Sequence, residues 1–352
     1  MNNKKKFSVK WLLIILGIVA VLGVTVVPLP YYLEVPGTAE KLNGVVTVDG
    51  NTDENDGSFM LTTVGIRQAT GMQAIMSRFT DFTDLYSEKE LFGTATSEEY
   101  NQMQQYYMTS SENSAKKVAL DLAQIPYELV FNGIYVLAVQ EESDFYGKLQ
   151  TGDVVTRIDG KEFTSSQEFM DYVKEQKVDQ EVTVTYLRGD SESEVSGNLI
   201  ELATDHKAGI GIQLTDHTEL STEKDIEIDA GNIGGPSAGL MFTLETYSML
   251  TGKDLRAGHL IAGTGTMEID GTVGRIGGID KKIVAATNAG AEIFFAPDDD
   301  LSAEILAQNP GLETNYQEAL AAAKKIDSPM KIVPVKTVQD ALDYLETLSA
   351  SV

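Results

Sequence analysis

Hydrophobic positions change their spacing several times along this 352-residue chain, and each change marks a predicted element. From Trp11 to Val27 no charged side chain interrupts the apolar run. At about 1.5 Å per residue it reaches the short end of what spans a bilayer as a helix. Lys4, Lys5, Lys6 and Lys10 precede it. That basic flank predicts a cytoplasmic tail over 1–10, a transmembrane anchor over 11–28 and everything after Pro28 outside, with Trp11 and Tyr31-Tyr32 at the two interfaces. A cleaved signal peptide is the weaker reading, because no A-x-A site follows the run.

Beyond the anchor, β-branched and aromatic residues around Pro36-Gly37 predict short strands and a turn, and Phe59 to Arg67 a further strand. Between them Asn51, Asp53 and Asn55 lack the glycine and closing glutamate of a calcium loop and read as a solvated turn. Thr70 to about Pro126 carries helical propensity, and its Met and Tyr stripe reads as core rather than substrate groove. Strand signals return at Gly133-Ile134-Tyr135-Val136 and after Gly152-Asp153. A helix follows from Ser165 to about Gln176, then a strand from Glu181 to Leu187. Asp225 to Asp229 alternates like a half-buried strand. The glycine-rich turn to Gly239 comes next, then the apolar-periodic helix Leu240 to Leu250, closed by Gly252.

Composition narrows the chemistry. Lys and Arg number 27 against 53 Asp and Glu, and a net charge of -26 repels phosphate backbones, so nucleic acid is excluded as a partner. Cysteine is absent, which removes thiol catalysis and thiolate metal sites. The three histidines, His206, His217 and His259, lie in no triad or metal motif, and the acidic run Asp298 to Asp300 reads as a solvated loop. Neither metal nor cofactor is expected.

Ser237, in Gly234-Gly235-Pro236-Ser237-Ala238-Gly239, falls at a helix N-terminus, where unpaired N–H groups stabilise negative charge. Gly234, Gly235, Pro236 and Ala238 form the expected substrate and oxyanion region. No Walker lysine follows the glycines, and Pro236 rules out a G-x-S-x-G elbow. With no suitable histidine, the base must be a lysine. An ordinary lysine is neutral in only roughly one molecule in 2500 at pH 7, so it has to be desolvated. Gly277-Gly278-Ile279-Asp280-Lys281-Lys282 opens a helix that offers two candidates.

These motifs resemble families. The G-P-S-A-G segment, Thr264-Gly265 and G-G-x-x-x-K ending at Lys282 are similar to the peptidase domain of Lon proteases. That resemblance implies Ser237 as nucleophile, Lys282 rather than Lys281 as base, and Thr264 as the residue orienting the lysine. The G-D and I-D-G turns with their helix resemble a PDZ domain, in which Gly133, Ile134, Tyr135 and Val136 would supply the peptide-accepting edge.

The expected fold is α+β: a transmembrane helix, a PDZ-like domain over 29–204 with a helical insertion at about 68–126, and a Lon-type peptidase domain over 205–352. The arrangement looks like the ATP-independent, surface-exposed PDZ peptidases of Gram-positive bacteria, which include processors of secreted competence peptides. It implies a cell-membrane endopeptidase that uses no ATP and cuts exported or membrane-associated peptide or protein substrates, such as a secreted signalling peptide. A homo-oligomer is left open. The alternative is a non-catalytic, membrane-anchored PDZ adaptor that presents peptides.

Overall fold

A computed structural model describes residues 9–93, 95–203, 205–301 and 303–349. Most of the expected cytoplasmic tail, including Lys4, Lys5 and Lys6, lies outside the described residues. The apolar run forms an 18-residue helix, Val9–Val26. Among the described residues no helix is long and apolar enough to cross a membrane. At 1.5 Å per residue this one covers about 27 Å, with Lys10 in its first turn, against a hydrocarbon core of about 30 Å. That overturns the anchor expected over 11–28. With it goes the single-pass placement at a cell membrane with a cytoplasmic N-terminus and an extracellular catalytic domain.

One mixed sheet organises the larger unit. Its strands run in the order Lys331–Val335, Ile293–Pro297, Leu260–Gly263, Ser58–Thr70, Pro28–Lys41, Asp84–Ser87. The first four are mutually parallel and the last two antiparallel to their neighbours. Side chains alternate across it, as a period of two requires. Phe59, Leu61, Ile261 and Phe295 enter a core with Phe242, Leu244, Leu342 and Leu345 of the helices Gly239–Thr251 and Val338–Ser349. Met60, Ala262 and Phe294 face the other way, onto Ile279 and Ile283 of helix Ile279–Asn288 and Ala319 of helix Asn315–Lys325. Both faces are covered, which is why Ile293–Pro297 is buried at every position.

Pro36-Gly37 makes no turn. Strand Pro28–Lys41 passes through it with a register shift between Pro36 and Ala39, a bulge that absorbs the missing N–H. Strands Pro28–Lys41 and Ser58–Thr70 therefore complete this sheet, and do not belong to the PDZ-like unit in which the sequence reading put them.

The PDZ-like unit is a second sheet in the order Ile212–Thr222, Tyr127–Val139, Val154–Ile158, Glu181–Arg188, Ser191–Asn198. Ile134, Val136, Val155, Phe169, Val173 and Val184 fill its core, with Phe169 and Val173 coming from helix Ser166–Lys174. Between the two sheets runs the 27-residue helix Ser97–Ala123. A capping box starts it: Thr96 Oγ1 accepts from the Glu99 N–H, and the Glu99 carboxylate accepts from the Thr96 N–H. Toward the PDZ unit, Tyr106 stacks on Tyr135 with ring centroids 3.5 Å apart and donates to the Asp216 carbonyl at 2.8 Å.

Candidate active site

Ser237 lies in the turn two residues before helix Gly239–Thr251. Gly235 adopts φ +90, a conformation that a side chain would strain, and this bends the chain so that the serine emerges half-buried into a cleft. Helix Ser97–Ala123 holds the turn. The Gly235 N–H donates to the Gln104 carbonyl at 2.9 Å, and Ser111 Oγ donates to the Pro236 carbonyl at 3.0 Å. Gly265 N–H and Thr264 Oγ1 both donate to the Ser237 carbonyl, at 2.9 and 3.0 Å. Ser111→Ala should therefore loosen the nucleophile turn, lowering kcat several-fold for a stability cost of about 1 kcal/mol, as peptide turnover and thermal melts would show.

Lys282 comes from the first turn of Ile279–Asn288, whose N-cap Gly278 has φ +65. Its side chain is buried, and Nζ stands 2.6 Å from Ser237 Oγ and 2.9 Å from Thr264 Oγ1. Burial pushes the ammonium down to about 7, with the charge of Glu34 pulling weakly the other way. A neutral amine has two N–H donors and one lone pair. Thr264 has already committed its proton to the Ser237 carbonyl, so its oxygen is left to accept one lysine N–H. The lone pair is then free for the serine hydroxyl. Lys281 is buried too, and burial opposes its charge. The hydrogen bond that Lys281 donates to Asp84 at 2.5 Å, with the charges of Asp280 and Glu34, outweighs that and holds it well above the ordinary lysine range. Electrostatics thus separates neighbours that the sequence distinguishes only by resemblance.

The cleft, of about 1160 Å³, runs from Ser237 and Lys282 along Glu34 and Thr62 to Tyr100 and Gln104. The helical segment whose Met and Tyr stripe read as core is split between two jobs: Met108 is buried in the main core while Tyr100 and Gln104 face the cleft. None of the three histidines lines it. Within the expected oxyanion region Gly234, Gly235, Pro236 and Ala238 surround the serine, but Pro236 has no N–H and that of Gly235 is spent on Gln104. The amides of Ser237 and Ala238 take no backbone acceptor among the described residues.

Gly133, Ile134, Tyr135 and Val136 are a correction. They pair with His217, Asp216, Thr215 and Leu214 on one side, and Ile134 and Tyr135 with Val155 and Val154 on the other. Their strand is interior, with no ladder left for a peptide. The outermost strand on that side is Ile212–Thr222, where Tyr106 and Asn113 donate to the Asp216 and Thr218 carbonyls and the Ser166 N–H donates to Asp216 Oδ1 at 2.7 Å.

Asp53 is a second correction. Its side chain is buried in an ion pair with Arg256, which also donates to Glu245 at 3.0 Å. A buried guanidinium demands carboxylates, and local sequence does not reveal which loop delivers them. The acidic run also finds partners: Asp299 binds Arg275, and Asp300 binds Lys336.

Comparison with known proteins matches residues 101–199 to a PDZ domain and residues 181–345 to the Lon protease (S16) C-terminal proteolytic domain. The chain thus joins a PDZ-like region to a region similar to the Lon-type (S16) proteolytic domain. A Lon protease of Koribacter versatilis is 35% identical over 133 residues, covering 35% of this chain, and one of Acinetobacter baumannii 34% identical over 120 residues, covering 34%. The matched regions are 16% and 14% of those relatives' length. The PDZ domain of an SdrC-like protein of Listeria monocytogenes is 36% identical, covers 25% of this chain and 92% of that one, and superposes with a TM-score of 0.24. The PDZ unit is inserted into the Lon-type fold, since strands on both sides of it share one sheet.

Proposed function

We propose that this peptidase cleaves extended peptides with a Ser237–Lys282 dyad and without ATP. The observation that carries the reading is the 2.6 Å approach of a buried, uncharged-prone lysine to Ser237 Oγ. Lys282 takes the hydroxyl proton as Oγ attacks the scissile carbonyl, so that the O–H and C=O π bonds break while N–H and C–O bonds form. The amides of Ser237 and Ala238 receive the oxyanion. Lys282 then returns the proton to the leaving amine, and water repeats the sequence on the acyl-enzyme. A presenting adaptor has no use for a desolvated lysine aimed at a serine, which disfavours the non-catalytic reading. The sequence holds no Walker lysine loop, in keeping with hydrolysis that draws no energy from nucleotide.

Purified protein should cleave short fluorogenic peptides equally with and without ATP and magnesium, and Ser237→Ala should abolish the cleavage. Activity in Ser237→Ala, or none in wild type unless ATP is added, would sink the reading.

The PDZ unit would capture substrate by strand addition at Ile212–Thr222. A bound peptide should slow amide hydrogen exchange along that strand and leave Gly133–Val136, already paired, unchanged. The reverse pattern would restore the interior strand as the docking edge.

A further inference from the structure

Glu34 is placed where the dyad needs a counter-charge. It sits on strand Pro28–Lys41 opposite Asp84, lines the cleft with Ser237 and Lys282, and has a side chain only 15% exposed. One carboxylate oxygen lies so close to the N-cap of the lysine helix that a Cβ at Gly278 would come within 2.8 Å of it. The other lies 3.7 Å from Lys281 Nζ. A carboxylate against a helix N-terminus is favourably placed, and Lys281 keeps it there without letting it pair with Lys282. Among the described residues Glu34 is the charged group that acts on the buried Lys282. Thr264 and Ser237, its hydrogen-bond partners, are neutral.

We propose that Glu34 is the electrostatic partner of the dyad: clamped by Lys281, its carboxylate stabilises the ammonium that Lys282 becomes on accepting the Ser237 proton. Glu34 touches no reacting atom, so it is a positioning residue. Arg67 lines the same cleft from the neighbouring strand, and most other charges near Glu34 are engaged. Asp84 and Asp280 bind Lys281, and Arg275 binds Asp299 and Glu318. Tyr86 faces Glu34 from the edge strand, and Glu40 lies farther along Glu34's own strand. The inference rests on the dyad reading.

Its test is the acid limb of kcat/KM against pH, paired with an NMR titration of 13C-ε-lysine protein in which the Lys282 signal is identified by its loss in Lys282→Met. Glu34→Gln removes the charge that favours the ammonium. The limb and the titration should both move to lower pH by about one unit, with kcat about tenfold lower. Lys281→Gln takes a cation away and unclamps Glu34, so both should move to higher pH. Glu34→Asp, which keeps the charge, should hold the limb near wild type.

A limb and titration that stay at the wild-type position in Glu34→Gln overturn the proposal. Should that variant fail to fold, an unmoved limb in Lys281→Gln does the same. Wild-type turnover in Lys282→Met would instead sink the dyad itself, so the two failures can be told apart.

Discussion

Lys282→Met removes peptide cleavage by on the order of 10⁴-fold or more while making the protein more stable. Both halves follow from the same burial. The amine is buried with its pKa pushed down to about 7, so below that pH the fold carries a desolvated ammonium, and between it and the ordinary lysine value it gives up a proton that the unfolded chain keeps. For a base with a depressed folded pKa, the unfolded state binds more protons, and stability rises as pH climbs from about 7 toward the ordinary lysine value. At neutral pH methionine, of similar length and apolar, escapes that penalty, worth on the order of a few kcal/mol. Thermal melts of wild type and variant between pH 6 and 9 should show the gap narrowing as pH rises. Turnover has the opposite dependence on the lysine. The base works only when neutral, so wild-type kcat/KM should rise through about pH 7 and level off. A wild-type profile flat between pH 5.5 and 8.5 would show that Lys282 is not the group whose deprotonation limits the reaction.

The approach of Lys282 to Ser237 was legible in the sequence because its signals are local. A serine after Gly-Gly-Pro before an apolar-periodic helix, and two lysines behind a Gly-Gly N-cap, place both groups at helix starts wherever the rest of the chain goes. What could not be read is non-local. Strands Pro28–Lys41 and Ser58–Thr70 join the sheet of the larger unit through pairing with Leu260–Gly263, some 200 residues later, and nothing in Ser58–Thr70 announces that partner. Gly133–Val136 looked like an edge because its own pattern is that of any strand. The strand that covers it lies about 80 residues on, opened by Gly209-Ile210-Gly211. Glu34 is one of two glutamates in its strand, without motif or spacing, and only the sheet brings it to Gly278. Lys281 and Lys282 differ by one position in sequence but by about 100° around the helix, enough to send one to carboxylates and the other to Ser237. The anchor failed on length: a charge-free run counts residues, whereas the hydrocarbon core is measured in ångströms.

Arg256→Met should lower stability by about 3–5 kcal/mol, a fall in Tm of about 10 °C, because it strands two carboxylates in the core. Arg256 and Glu245 are fully buried and the Asp53 side chain nearly so. One guanidinium serves both acids. Burial, reinforced by the Asp53 charge, pushes Glu245 up to about 8 against the pull of Arg256, so near neutral pH Glu245 keeps its proton. The sign of the linkage is opposite to that of Lys282. A carboxyl whose folded pKa is raised binds more protons in the folded state, so its contribution is fully present below the unfolded value near 4.5 and is lost as pH rises through about 8. Stability should therefore decline from pH 6 to 9 in wild type and flatten in Glu245→Gln, which keeps the shape without the ionisation. Removing all three charges together, as Arg256→Met with Glu245→Gln and Asp53→Asn, should recover most of the loss in the single Arg256 variant. The site depends on the outcome because Glu245 lies on the helix whose first turn follows Ser237, and Asp53 lies in the loop that leads into strand Ser58–Thr70 beside the cleft. If Arg256→Met melts within about 2 °C of wild type across this pH range, the cluster is not the electrostatic lock between that loop and the nucleophile helix.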